Sequence, residues 1–244
     1  NIQFHSHFWF HPATKGNWDD VFTYMQKNLE AFIFGRSDWE YVTNTFVFPA
    51  KIGYKFIHTP NGDCNGQFSG IGADATQSAL VAESIQSQGL LITNGQFNTH
   101  HSGESTQVII GSDCVGSIRF TNCGFWGPAE HNVVIYGNSN VSFQNCYFST
   151  NYIASDSLRP NYSIVAENGK LQVRDCTFDG VQTDEKSQWN YSGKKKRPPC
   201  LLLKRGVRWA AITGNDGYGG VKITDKTAGK AVIKDNEPDY KVKP

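Results

Sequence analysis

A twelve-residue sequence repeat, called a line below, occurs four times in this chain and limits the folds that the chain can adopt. It reads QGLLITNGQFNT at 88–99, GSIRFTNCGFWG at 116–127, SNVSFQNCYFST at 139–150 and GKLQVRDCTFDG at 169–180. One polar column stands at 94, 122, 145 and 175, so the intervals are 28, 23 and 30 residues. Insertions therefore fall between the lines, as in a solenoid whose variable parts are loops.

Each line has a short apolar partner upstream. These partners are SALVAES at 78–84, TQVIIGS at 106–112, HNVVIYG at 131–137 and YSIVAEN at 162–168. Runs of Val, Ile and Phe that alternate with polar residues and end at Gly or Asn predict strands. Because no repeat carries a helix of useful length, the pattern predicts an all-β chain of stacked coils, a parallel β-helix of about 7–8 coils. We expect one domain over residues 1–236 and an extended tail at 237–244.

Three columns of the repeat predict stacked side chains. The Phe column is expected to build the core, the Asn/Asp column to form a hydrogen-bonded ladder at a bend, and the Cys column to hold free buried thiols. The columns consist of Phe97, Phe125, Phe148 and Phe178; of Asn94, Asn122, Asn145 and Asp175; and of Cys123, Cys146 and Cys176.

Two segments depart from the repeat. Residues 11–30 contain NWDDVFTYMQKNL, which predicts one short inserted helix with Asn17 as its N-cap and acidic residues in its first turn. Residues 58–77 are rich in Gly and are expected to form a loop.

The charge balance excludes some classes of partner. The 244 residues carry a net charge of +1, which gives no bulk field to attract nucleic acid or an anionic membrane. Apolar runs do not approach the length of about 20 residues needed to span a bilayer. The six cysteines form no C-x-x-C pair, so we expect neither a metal nor another cofactor. The abrupt start, in what reads as the middle of a strand, suggests a missing N-terminal segment, a second chain or a homo-oligomer.

The stretch FGRSDWEYV is the densest in chemically active side chains. Arg36, Asp38 and Glu40 alternate, so a strand would project them from one face, with Trp39 and Tyr41 on the other. Residues two apart on a strand are separated by about 6.5–7 Å, and carboxylates about 6.5–9.5 Å apart serve as the acid and base of an inverting glycosidase. Arg36 would keep one of them ionised. The alternative is an exposed strand face that is merely salt-bridged.

Further candidates come from the coils that follow. Asp74 and Glu83 are reserve carboxylates for the same face. Arg36 and Trp39 are also expected to bind substrate. The other expected substrate-binding residues lie in corresponding loops of two successive coils, which are predicted to sit side by side. They are His100, His101 and Glu104 in the first loop, and Trp126, Glu130 and His131 in the second. A stacked coil offers one set of side chains every ~4.8 Å, which suits an extended polysaccharide.

The coil pattern, together with GRSDWEYVTNTF, IGYKF, NGQFSGIGAD and GLLITNGQF, resembles the right-handed β-helix proteins of the pectate-lyase-like superfamily. It looks closest to the members related to glycoside hydrolases. This resemblance implies a right-handed parallel β-helix that acts on polysaccharide, in a superfamily that also contains lyases, epimerases and binding proteins. The chain has neither the paired Asp signature of polygalacturonase-like hydrolases nor the calcium-binding Asp set of pectate lyases.

Three functions remain open at this point. The first is a secreted or periplasmic glycoside hydrolase in which Asp38 and Glu40 are the acid and base. The second is a polysaccharide lyase, in which a base such as His101 removes the proton next to a uronate carboxylate that Arg36 neutralises. The third is a non-catalytic adhesin or envelope component that uses the fold as a rod.

Overall fold

The computed structural model describes residues 2–10, 13–99, 105–149, 161–179 and 199–239. Helix α1 is Trp18–Asn28, and a short 3-10 helix is Ser6–Phe10. The strands, in chain order, are β1 (Ile2–His5), β2 (Glu30–Phe34), β3 (Ser37–Thr43), β4 (Thr45–Phe48), β5 (Ala50–Phe56), β6 (Cys64–Ser69), β7 (Gly72–Ala82), β8 (Leu90–Thr93), β9 (Gln96–Thr99), β10 (Thr106–Ile110), β11 (Ser117–Thr121), β12 (Gly124–Trp126), β13 (His131–Ile135), β14 (Asn140–Gln144), β15 (Tyr147–Ser149), β16 (Ile164–Arg174), β17 (Thr177–Asp179), β18 (Leu201–Thr213), β19 (Asp216–Gly217), β20 (Ile223–Asp225) and β21 (Ala231–Lys234).

These strands pair in parallel and wind into a solenoid with three faces. Face A contains β2, β5, the second half of β7, β10, β13, the first parts of β16 and β18, and β20. Face B contains β3, β6, β8, β11, β14, the second parts of β16 and β18, and β21. Face C contains β1, β4, the first half of β7, β9, β12, β15, β17 and β19.

The predicted all-β parallel β-helix with one short helix is confirmed. The structure has about 6 regular turns, slightly fewer than the 7–8 coils predicted.

The Phe column forms the centre of the core, as predicted. Phe97, Phe125 and Phe148 are fully buried and Phe178 is nearly so. Successive ring centroids lie 5.2, 4.7 and 4.8 Å apart along the stack. Because neighbouring parallel strands are spaced by about 4.8 Å, identical residues in register fill the interior with stacked rings.

The Asn/Asp column makes the corner between faces B and C. Asn94, Asn122, Asn145 and Asp175 have φ between 51 and 55°, the left-handed conformation that Asn and Asp tolerate better than most residues. The Asn122 side-chain amide donates to Asn94 Oδ1 at 2.6 Å, so the predicted ladder is confirmed at this step. The Cys column is buried and its thiols are free.

Helix α1 follows the prediction closely. The Asn17 side chain accepts a hydrogen bond from the Asp19 main-chain N–H at 2.8 Å, which caps the helix. The loop expected at 58–77 is wrong, because β6 and β7 run through it. Its glycines fit tight sheet packing instead. A Cβ at Gly72 would lie 2.8 Å from the Phe46 ring on the neighbouring strand.

Candidate functional site

A bulge in β3 holds Trp39 in an unusual conformation at the start of face B. The pairing of β3 with β6 shifts register between Ser37 and Glu40, and Trp39 has φ 58°. A bulky residue with positive φ is a genuine outlier and costs of order 1–3 kcal/mol. Trp39 is nevertheless 71% exposed, so burial of its ring does not explain the strain. Strain of this kind clusters at ligand-binding sites.

A hydrogen-bonded network across three coils supports this bulge. Asn65 Oδ1 accepts from the Trp39 main-chain N–H at 3.1 Å, and the Asn65 amide donates to Gln86 Oε1 at 2.7 Å. Gln86 Nε2 donates to Asp38 Oδ1 at 2.7 Å, and Arg36 forms an ion pair with the same carboxylate. The network fixes the polar side chains that line one cleft with Trp39.

The charge state of Asp38 follows from these partners. The hydrogen bond from Arg36, and then that from Gln86, holds the pKa of the Asp38 carboxyl below its usual value, and the pairing raises the pKa of Arg36. A carboxyl held ionised accepts hydrogen bonds and is a poor proton donor.

The outer surface of face B continues from this network as a cleft of about 470 Å³, named here cleft B. The Tyr41 side chain is 64% exposed and lies at its edge. Residues 41, 67, 91 and 119 are in register on four successive strands. The lining residues are Asp38, Trp39, Tyr41, Asn65, Gly66, Gln67, Gln86, Gln88, Gly89, Leu91 and Arg119.

The prediction that Asp38 and Glu40 project from the same solvent-facing side of the strand is wrong. Glu40 pairs with Gly66, which pairs with Leu90 in a column that points into the core. The bulge at Trp39 is the physical reason, because one extra residue turns the side chains that follow it to the other face. Ser37 Oγ donates a hydrogen bond to the half-buried Glu40 carboxylate. Trp39, expected on the opposite face from Asp38, lines cleft B beside it.

A second cleft, of about 540 Å³, lies on face C and is named here cleft C. It brings together Asp74 and Trp126, two residues predicted from different coils. Burial raises the pKa of the half-buried Asp74 carboxyl. Gln96 Oε1 accepts a hydrogen bond from the Trp126 indole N–H at 2.8 Å. The lining residues are Gln3, Asn44, Thr45, Phe46, Gly70, Ile71, Gly72, Ala73, Asp74, Asn94, Gln96 and Trp126.

The remaining candidates lie elsewhere. Glu83 is exposed and forms an ion pair with Lys55 at 3.3 Å, and it lines neither cleft. His131 Nδ1 lies 2.9 Å from the Tyr162 carbonyl oxygen and 3.1 Å from the Tyr162 main-chain nitrogen, and burial lowers the pKa of this imidazole. The main-chain N–H of Glu130 bonds to the Ser105 carbonyl at 2.8 Å.

The predicted loop neighbours of Trp126, Glu130 and His131 belong to the part of the chain that is not described. His100, His101 and Glu104 lie outside the described residues. Their expected position beside the next loop therefore stays a prediction.

Sequence reasoning missed the amides that complete both sites. Asn65 and Gln86 hold the network under Trp39, while Gln96 fixes Trp126. Asn65 and Gln96 lie within the quoted stretches NGQFSGIGAD and GLLITNGQF, but the pattern of those stretches assigned them no role. Strand register could have found a different part of cleft B. Aligning the strands of the repeat puts residues 67, 91 and 119 in one column, and all three line this cleft.

Within the described residues, no group of His, Cys, Asp and Glu side chains is arranged to hold a metal ion. The same part of the chain contains no helix long and apolar enough to cross a membrane. No family model matches the chain, and neither the curated proteins nor the solved structures contain a detectable relative.

Proposed function

We propose that this protein binds an extended polysaccharide along face B, with Trp39 and Tyr41 as the stacking surface of cleft B. The observation that carries the proposal is Trp39, a strained residue that is 71% exposed and lines one cleft with a fixed polar network. Aromatic rings suit sugars because the C–H face of a pyranose is apolar while its rim is polar. Asp38, Asn65 and Gln86 offer hydrogen-bond partners for that rim.

The outer side chains of face B support a chain of sugars that runs along the solenoid axis. Beside the column that begins with Tyr41 lies a column of hydroxyl side chains in register on four successive strands: Thr43, Ser69, Thr93 and Thr121. Each coil repeats the surface after about 4.8 Å, a distance similar to the advance of one sugar ring. Successive residues of one polysaccharide would thus meet equivalent positions on successive coils.

The proposal stops at binding, because the carboxylates do not favour acid–base cleavage in cleft B. Asp38 faces the cleft with a lowered pKa, whereas Glu40 belongs to a core-facing column. An inverting glycosidase needs one protonated and one ionised carboxyl on either side of the bond. The lyase alternative loses support as well, since Arg36 is engaged with Asp38.

The test is affinity electrophoresis through gels that contain a panel of neutral and acidic polysaccharides. Trp39→Ala is expected to raise the Kd for the bound polysaccharide, as measured from the retardation in the gel, about 30-fold. This corresponds to the roughly 2 kcal/mol that is typical of a Trp that dominates an interface. Tyr41→Ala is expected to weaken it less.

Tyr147→Ala is the matched control, because Tyr147 is an exposed aromatic on face C. Its affinity is expected to equal that of the wild type. Equal binding by the Trp39→Ala and Tyr147→Ala variants would remove cleft B from the proposal. A chain that binds no polysaccharide would favour the role of a structural rod.

A further inference from the structure

Cleft C is a separate site that the proposed function does not use. It opens on face C, and its lining shares no residue with that of cleft B. Two aromatic rings contribute to it: Phe46 from β4 and Trp126 from β12, both half-buried. Asp74 of β7 provides a carboxyl in the same cleft.

The backbone beside Asp74 is distorted to place this carboxyl. The pairing of β7 with β9 shifts register between Ala73 and Thr76, and Ala75 has φ 54°. Positive φ is uncommon for a residue other than Gly. Bulges next to functional sites often redirect a side chain, and here the bulge follows the residue that faces cleft C.

The aromatic walls are held in place by neighbouring coils. The Trp126 indole N–H is fixed by Gln96, which comes from the preceding coil. The Phe46 ring packs across the backbone of Gly72, where a Cβ would lie 2.8 Å from the ring. Neither ring depends on a ligand for its position, so cleft C is formed in advance.

The charges around cleft C favour an uncharged ligand. Within the described part of the chain, Asp74 is the only titratable residue that lines the cleft. His5 of the adjacent β1 interacts electrostatically with Asp74, and burial together with nearby His7 lowers the pKa of His5. Helix α1 approaches through Gln26, whose amide donates to the Ala75 carbonyl at 3.2 Å. Among the described lining residues, an anionic ligand would meet the carboxylate without a guanidinium or ammonium group to offset it.

We propose that cleft C binds a neutral saccharide, whose apolar face packs on Trp126 and Phe46 while its hydroxyls bond to Asp74 and Gln96. The proposal rests on the proposed function only in the class of ligand, because its residues lie on a different face. It gives the protein two independent saccharide sites. A site of mixed aromatic and convergent polar groups is the usual form of a small-molecule cleft.

The experiment is isothermal titration with neutral hexasaccharides of glucose, xylose, mannose and galactose, with oligogalacturonate as the acidic probe. The Trp39→Ala variant, in which cleft B is weakened about 30-fold, is expected to retain one site of unchanged affinity for a neutral hexasaccharide, and that site is expected not to bind oligogalacturonate. Adding Trp126→Ala or Asp74→Ala is expected to weaken that site by more than about tenfold, or 1.4 kcal/mol. Asp74→Asn and Gln96→Ala serve where an Ala variant melts early by circular dichroism.

The outcomes separate the two proposals. The site in cleft C is overturned if Trp39→Ala abolishes binding completely. It is also overturned if binding remains in Trp39→Ala and no further substitution in cleft C changes it. Failure of every neutral hexasaccharide to bind the Trp39→Ala variant has the same consequence. Binding that Trp39→Ala leaves intact but Asp74→Ala and Trp126→Ala remove would support cleft C and remove cleft B.

Discussion

Truncation of one ring in the Phe stack tests the register on which both clefts depend. Phe125 is fully buried, and its ring centroid lies 4.7 Å from that of Phe148 and 5.2 Å from that of Phe97. The rings of Phe120 and Phe143 add edge contacts at 5.6 and 5.8 Å. Phe→Ala in a core costs about 3–5 kcal/mol, and four aromatic neighbours place Phe125→Ala near the upper end of that range.

The loss is measured as the change in the free energy of unfolding from urea titrations followed by circular dichroism. Tyr147→Ala is the matched control, since Tyr147 precedes Phe148 on β15 but is 45% exposed. We expect it to cost less than about 1 kcal/mol, as at most surface positions. A cost below about 1 kcal/mol for Phe125→Ala, or equal costs for the two variants, would refute the stacked core.

Three further outcomes are expected. Because burial raises the pKa of Asp74 above its ordinary 3.8, Asp74→Asn should raise the melting temperature at pH 7. The gain should shrink as pH falls toward 4, where the folded carboxyl takes up its proton before the unfolded chain does; a gain independent of pH would contradict this. Asn122→Gly should be more stable than Asn122→Ala by about 1–2 kcal/mol, because Asn122 has φ 55°, and equal stabilities would refute the strained corner. The six free, buried cysteines should react with a thiol reagent only in urea, and rapid labelling of the native protein would contradict their burial.

The repeat alone predicted the core. Columns such as Phe97, Phe125 and Phe148 were visible because parallel strands in register stack identical side chains at one fixed spacing. The corner at Asn122 was readable for a similar reason, since few residues accept its left-handed conformation. The short helix also followed from local signals, with Asn17 as its cap.

The site was less predictable, because bulges are decided by packing between coils. Strict alternation put Asp38 and Glu40 on one face, but the extra residue at Trp39 turned Glu40 toward the core. The glycines at 66 and 72 read as a loop, although each is required where a neighbouring strand packs closely.

The sequence therefore determined the stacked coils and the chemistry that each coil carries, since both depend on a period that is written in the chain. Only the tertiary structure decided which coils meet in one cleft, because that depends on turns and bulges between the strands. Asp74 and Trp126, 52 residues apart in sequence, share cleft C for this reason. Asp38, Asn65 and Gln86 likewise come from three successive coils and meet through their side-chain hydrogen bonds.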